Sequence, residues 1–354
     1  MKTFLPATVT AAALLISTLA PAAKESAKPS RSPADVETAV RLQVFLDRAE
    51  FGPGKIDGHF GEFTRHALRL YREANGLPPL PEPEAPKNGA KSEPPPPAIT
   101  DMDLASIGEP FTQYTLSDGD LEEVGELPKE IEAQAKLKWL PYQSAAEAVA
   151  ERFHCDADFL TELNPGVDLK QLKAGDKVTV PNVTPFVIEK VKDKADEESS
   201  QKGSNNIDDK EEKKGQPAQI PVSITIDMAT NMLQFFDGDR LAAAFPVTVG
   251  SGETTSPIGD WKVRQVYHLP HFRYDKQMLK RGERSDDFHI LKPGPNNLVG
   301  VVWIALNKKG IGIHGTAEPD SIGRSASHGC IRLANWDAVR LAARVQPGMA
   351  VSIH

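Results

Sequence analysis

Apolar and polar positions alternate through the C-terminal third of the chain. Ser223 to Asp227 and Met232 to Phe236 carry apolar side chains at every second position, Asp237-Gly238 has the composition of a hairpin turn, and Ala242 to Val249 returns. A period of two lines one face of a strand, so these runs predict antiparallel pairs. Further strands are predicted at Trp261 to Val266, Val301 to Leu306 and Ile311 to His314, with a last one at Ala350 to Ile353. Between them one helix is predicted from Trp336 to Val345, capped by Asn335 and stopped at Pro347-Gly348.

The period changes upstream. Val36, Val40, Val44 and the stretch Leu46 to Phe51 fall at helical spacing, Gly52-Pro53-Gly54 interrupts them, and a second helix runs from Thr64 to Ala74. From Phe111 to Val183 the two periods mix: a strand at Tyr114 to Leu116, helices at Ala145 to Phe153 and Ala157 to Leu163, the turn Asn164-Pro165-Gly166, and a strand at Lys177 to Pro181. Two stretches carry no apolar pattern. Residues 78–100 hold runs of proline with Lys and Glu between them and read as a semi-extended spacer. Residues 190–219 are rich in Lys, Glu, Asp, Ser and Asn and read as a solvated linker, which predicts a separable C-terminal domain.

Composition adds a compartment. Met1-Lys2, an apolar run from Ala11 to Leu19 and the small-residue site Ala20-Pro21-Ala22 have the form of a secretory signal peptide over residues 1–22. That run is shorter than the roughly twenty residues a membrane-spanning helix needs, so no integral membrane segment is expected after cleavage. The destination is outside the inner membrane, in periplasm or cell wall. Cys155 and Cys330 lie in different predicted domains, and both are read as free thiols. Of the chain's 41 Lys and Arg and 49 Asp and Glu, the part from Ala218 onward holds 15 and 12. A mildly basic C-terminal domain suits a substrate with carboxylates, and the absence of a basic stripe argues against nucleic acid.

The candidate chemistry is concentrated in Ile313-His314-Gly315-Thr316 and Ser327-His328-Gly329-Cys330-Ile331-Arg332-Leu333. A thiol attacks an acyl carbonyl as the thiolate, which calls for a nearby base and for donors to the developing oxyanion. His314 at a strand end supplies the base, and Gly329 lets the backbone bend so that the Gly329 and Cys330 amides can face the oxyanion. Arg332, two residues beyond Cys330, returns to the same strand face and can hold a carboxylate. Two simpler readings compete: a buried cysteine that only packs, and a zinc site. Zinc needs four ligands when closed, and only His314, His328 and Cys330 stand together, so neither metal nor cofactor is expected.

These motifs, with Pro257-Ile258-Gly259 and Pro293 to Asn297, resemble the signature of bacterial L,D-transpeptidases over residues 220–354. The resemblance implies a mainly β catalytic domain, a β-sandwich with one C-terminal helix. It also implies acyl transfer in cell wall biogenesis: Cys330 takes the acyl group of a peptidoglycan stem peptide as a thioester and passes it to a second stem. His314 is then base and acid, oriented by the Gly315 carbonyl. Ser327 and His328 support the site, and Tyr274 borders the substrate channel. Water as acceptor would make the protein an L,D-carboxypeptidase, and a vestigial site would leave a non-catalytic wall-binding protein. Lys55 to Thr64, with Ala67-Leu68 and Gly76-Leu77, resembles the three-helix peptidoglycan-binding module, placed at 32–77. Leu163-Asn164-Pro165 and Leu172 to Val178 resemble a LysM module, small and α+β, placed at 111–183 with an insertion near Leu127 to Lys138. Both imply glycan strands as partners.

Overall fold

Two helices open the folded chain because an apolar stripe on each needs cover. The computed structural model describes residues 32–81, 97, 99–202, 222–250, 256–324 and 329–354. The leader at 1–22, most of the 78–100 spacer, residues 203–221, Ser327 and His328 lie outside the described residues. Helices α1 (Pro33–Arg48) and α2 (Glu62–Ala74) pack through Leu42, Leu46, Ala67, Leu68 and Leu70. Gln43, inside this pair, donates to Asp57 Oδ1 at 2.9 Å and to the His59 carbonyl at 3.0 Å, and accepts from the Gly58 amide at 3.0 Å. It thereby holds the Gly58 turn, whose φ of +67° suits glycine. Thr64 packs as a buried residue of α2, and Gly61 holds the cap position.

Next come β1 (Phe111–Thr115), α3 (Asp118–Glu122), α4 (Ile131–Gln134), α5 (Ala145–Arg152), α6 (Ala157–Leu163) and β2 (Lys177–Pro181). Strand β1 pairs antiparallel with β2, Phe111 opposite Pro181. Ser144 caps α5 and Asp156 caps α6, each side chain accepting backbone N–H groups of the first turn. Cys155 is buried in this core, where burial pushes its thiol pKa well up, as suits a packing residue.

The segment read as a linker departs from expectation over its first half. Ile188–Lys202 forms helix α7. Phe186, Ile188 and Val191 are buried in the same core as the C-terminal strands, and Glu198 meets His268 Nδ1 at 2.7 Å. The abundant charge hid a short apolar face, and three anchoring side chains suffice to dock the helix.

The C-terminal strands are β3 (Val222–Asp227), β4 (Met232–Asp237), β5 (Arg240–Pro246), β6 (Gly259–His268), β7 (Phe272–Tyr274), β8 (His289–Leu291), β9 (Val302–Leu306), β10 (Gly312–His314), β11 (Ile331–Arg332) and β12 (Ala350–Ile353). Helices α8 (Lys276–Arg281) and α9 (Asn335–Ala342) interrupt them. A sandwich of separate sheets was expected, but eight strands form one curled sheet in the order β11-β10-β9-β6-β12-β3-β4-β5. The corner is β6. Its first residues, Gly259 to Lys262, pair with β12, and Val263 to His268 pair with β9, with a register shift between Val263 and Gln265. A bulge there bends the strand, so both halves enclose one core of Ile224, Ile226, Ile304, Ile313, Ile331 and Val351 beneath Trp336 and Leu341 of α9. Strands β7 and β8 form a separate hairpin.

Pro33–His354 make one compact unit, so the C-terminal part is not a bead on a string. Residues 50–52 lie along the edge strand β5: the Gly52 amide donates to the Ala244 carbonyl at 2.7 Å and the Ala244 amide to the Glu50 carbonyl at 2.9 Å. Met232, Leu241 and Ala244 share a core with Leu42, Leu46 and Phe51 of the first helices. Beneath it Asp47 on α1, wholly buried, accepts from Arg340 on α9 at 2.8 and 3.0 Å and from His154 Nδ1 at 2.8 Å. The His154 ring stacks on Trp336, centroids 4.9 Å apart. No helix among the described residues is long and apolar enough to cross a membrane.

Candidate active site

Strand pairing brings the histidine to the cysteine. Strand β11 runs parallel to β10 with Ile313 opposite Ile331, and both isoleucines are fully buried toward the core. Side chains alternate along a strand, so His314, Cys330 and Arg332 fall on the opposite face. All three line a cleft of about 1030 Å³. Its walls come from the end of β6, the β7–β8 hairpin with α8, Trp303, Trp139 and the exposed side of α7. Tyr274 is among the residues that line the cleft. Gly329 takes φ +96°, the left-handed bend that turns the chain into Cys330.

His314 is buried, and its Nδ1–H donates to the Gly315 carbonyl at 2.6 Å. Its ring stacks on Trp303 with centroids 5.3 Å apart. Burial brings its pKa down to about 4; the Gly315 carbonyl opposes this and the Arg332 charge adds to it. At neutral pH the imidazole is therefore uncharged, with the proton on Nδ1 and a free lone pair on Nε2. Burial also raises the Cys330 thiol, against a hydrogen bond from the Gly312 amide and the field of Arg332. The thiol donates to the Gly310 carbonyl at 3.6 Å. The resting pair is thus a neutral thiol beside a neutral imidazole, and ionisation is left to the reacting complex.

Arg332 is half-buried, and its backbone bridges Thr248 in both directions at 2.9 and 3.0 Å. The loop Pro293 to Asn297 has a double task. Pro293 lines the cleft, while Asn296 turns away and donates to the Pro141 carbonyl at 2.8 Å and to Glu147 Oε1 at 2.9 Å. Gly294, at φ +148°, lies so near Leu140 that a Cβ would stand 2.2 Å from its carbonyl oxygen. Gly312 was missed in the sequence; its signal was a glycine within a strand. A Cβ there would meet Trp303 at 2.7 Å, and its amide serves the sulfur. Asn335 is not the cap of α9 but its first helical residue, with its side chain engaged elsewhere. Among the described residues no group of three His, Cys, Asp or Glu side chains is placed to hold a metal ion.

One cleft is thus lined by a thiol, a neutral imidazole and a guanidinium. Residues 221–353 match the family model of the L,D-transpeptidase catalytic domain. A Bacillus licheniformis protein provisionally named L,D-transpeptidase YkuD is 27% identical over 207 residues, 58% of this chain and 92% of the relative. Its Bacillus subtilis namesake is 29% identical over 140 residues, 39% of this chain and 69% of that one. Among solved structures, an L,D-transpeptidase from Mycobacterium smegmatis aligns at 18% identity over 38% of this chain and 58% of that chain, with a TM-score of 0.31.

Proposed function

We propose that this protein is a peptidoglycan L,D-transpeptidase, an extracytoplasmic acyltransferase that cross-links stem peptides through a thioester on Cys330. The observation that carries the reading is the parallel pairing of β10 and β11, which sets His314 and Cys330 on one face of one cleft. The match of residues 221–353 and the names of the relatives support the same activity.

In this reading the thiol proton passes to His314 Nε2 as the sulfur attacks the carbonyl joining the third residue of a tetrapeptide stem to its terminal D-alanine. The oxyanion is met by the Gly329 and Cys330 amides. The C–N bond breaks, His314 returns the proton to the leaving D-alanine amine, and a thioester remains. An amine of a second stem then attacks, losing its proton to His314, and the thiol is restored. A neutral base suits this cycle, because an imidazole already protonated could not accept the thiol proton. Arg332 holds a substrate carboxylate, Tyr274 borders the donor, and Ser327 and His328 support the site. The helical pair at 32–77 and the unit at 111–183 hold glycan strands against the enzyme.

Incubation with a purified tetrapeptide muropeptide, read by mass spectrometry, tests this directly. Cross-linked dimer is expected from the native protein and none from Cys330→Ala. Tripeptide monomer without dimer would reassign the acceptor to water, and unchanged substrate would end the enzymatic reading.

A further inference from the structure

Glu151 belongs to α5, yet its carboxyl group is buried against the catalytic domain. One oxygen accepts from the Tyr142 hydroxyl, and the other accepts from Asn335 Nδ2 at 2.9 Å. Asn335 is fully buried at the start of α9. Its Oδ1 accepts from the Val301 amide at 3.1 Å, and Nδ2 also donates to the Pro295 carbonyl at 3.3 Å.

The carboxamide is wedged between two glycines. A Cβ on Gly300 would lie 2.1 Å from Asn335 Oδ1, and a Cβ on Gly315 would lie 2.2 Å from the same atom. Gly315 is the residue whose carbonyl receives the His314 Nδ1 proton, and its own amide donates to the Val302 carbonyl at 3.1 Å. A continuous series of contacts therefore leads from Tyr142 through Glu151, Asn335 and Gly315 to His314. Glu151, the nearer of the two acceptors on Nδ2, helps set which way the carboxamide faces. An acceptor on one side requires Nδ2 there and leaves Oδ1 for Val301. Without it the amide loses a buried partner, and a buried donor left unpaired forces the group to turn or shift.

We propose that Glu151 is a positioning residue for acyl transfer, acting through Asn335 and Gly315 to fix the tautomer and direction of His314. It rests on the reading of His314 as the base. The unit that carries α5 then completes the catalytic apparatus in addition to any hold it has on glycan. Displacing a reacting group by about 1 Å costs up to about a hundredfold in rate.

The test uses the full mature chain with Glu151→Leu, Glu151→Gln, Glu151→Asp, His314→Ala and the double variant Glu151→Leu/His314→Ala, each with kcat, KM and melting temperature. Glu151→Leu is expected to lower kcat roughly 10- to 100-fold with KM within about twofold. Glu151→Gln keeps an acceptor for Asn335 and should return kcat to within about threefold of native. Should the leucine variant fail to fold, Glu151→Asp keeps a carboxyl group and draws it back by one methylene, and an approximately tenfold kcat loss is expected. In the His314→Ala background Glu151→Leu should cost almost nothing more, because residues acting through one group are not additive. Unchanged kcat in the leucine and aspartate variants, a glutamine variant no better than leucine, or a full second loss on top of His314→Ala would each overturn the proposal. Native activity in His314→Ala alone would overturn the base assignment first, and the two failures are thus distinct.

Discussion

Replacing Arg340 by methionine removes the main countercharge of a carboxylate with no access to water. Asp47 is wholly buried, and Arg340 supplies two of its three hydrogen bonds, at 2.8 and 3.0 Å. Burial alone would raise the Asp47 pKa, but the charges and hydrogen bonds of Arg340 and His154 overrule it and hold the group far below the usual carboxylate range. Breaking one side of a buried pair costs about 3–5 kcal/mol. That is a fifth or more of a typical folding free energy of about 5–15 kcal/mol. The loss should depend on pH. Burial and the Arg340 charge depress the His154 pKa in the native protein, with Asp47 opposing, so without Arg340 the imidazole gains a proton more readily. The variant then binds more protons when folded, so its deficit is largest near pH 8 and shrinks toward pH 5. Urea unfolding followed by tryptophan fluorescence at both pH values measures it, with Trp336 stacked on His154 as the local reporter. The double variant Asp47→Asn/Arg340→Met should regain most of the loss, since it replaces a charged pair by neutral groups. A deficit under about 1 kcal/mol at pH 8, or a double variant equal to the sum of its singles, would refute the reasoning.

A chain beginning at Gln219 should fail to fold as a monomer, because it uncovers Met232, Leu241 and Trp336, together with the β5 edge; each large side chain is worth about 1.5–3 kcal/mol of burial. Size-exclusion chromatography and near-ultraviolet circular dichroism report it, and a monomer with cooperative unfolding would contradict the expectation. The His314 pKa falls from 6.5 to about 4 on folding, so the unfolded chain takes the proton first and stability drops as pH descends through that window, by about 3 kcal/mol for this group. Comparing urea unfolding of the native protein and His314→Gln at pH 7 and pH 4.5 isolates it; equal slopes in both proteins would mean that the imidazole is not held neutral.

Much of the site was readable because its parts are local in sequence. Ile311 to His314 and Cys330 to Arg332 carry strand periodicity, and pairing two strands fixes which side chains share a face. Asn335 shows where that reading stops. Its position just before an apolar helical run is the pattern of a cap, yet its side chain serves Glu151 and Val301, 184 and 34 residues away, and no local rule carries such partners. Helix α7 was hidden for another reason: charge dominates its composition while the few apolar side chains Phe186, Ile188 and Val191 are what it buries. The single curled sheet was equally out of reach, since the division of β6 between β12 and β9 depends on pairings distant in the chain. The bond between Arg340 and Asp47 spans 293 positions and gives no sign in either neighbourhood.

The place of β12 in the sheet bears on how the protein comes to be folded. It follows every other strand in the chain, yet it lies between β6 and β3, near the middle of the eight. Until it emerges, β11-β10-β9-β6 and β3-β4-β5 are two fragments with facing open edges, and those edges can pair with other molecules. Joining the two fragments therefore waits on Ala350 to Ile353, the last of the described strands in chain order. Loss of Ala350 to Ile353 alone leaves two half-sheets rather than one slightly smaller sheet.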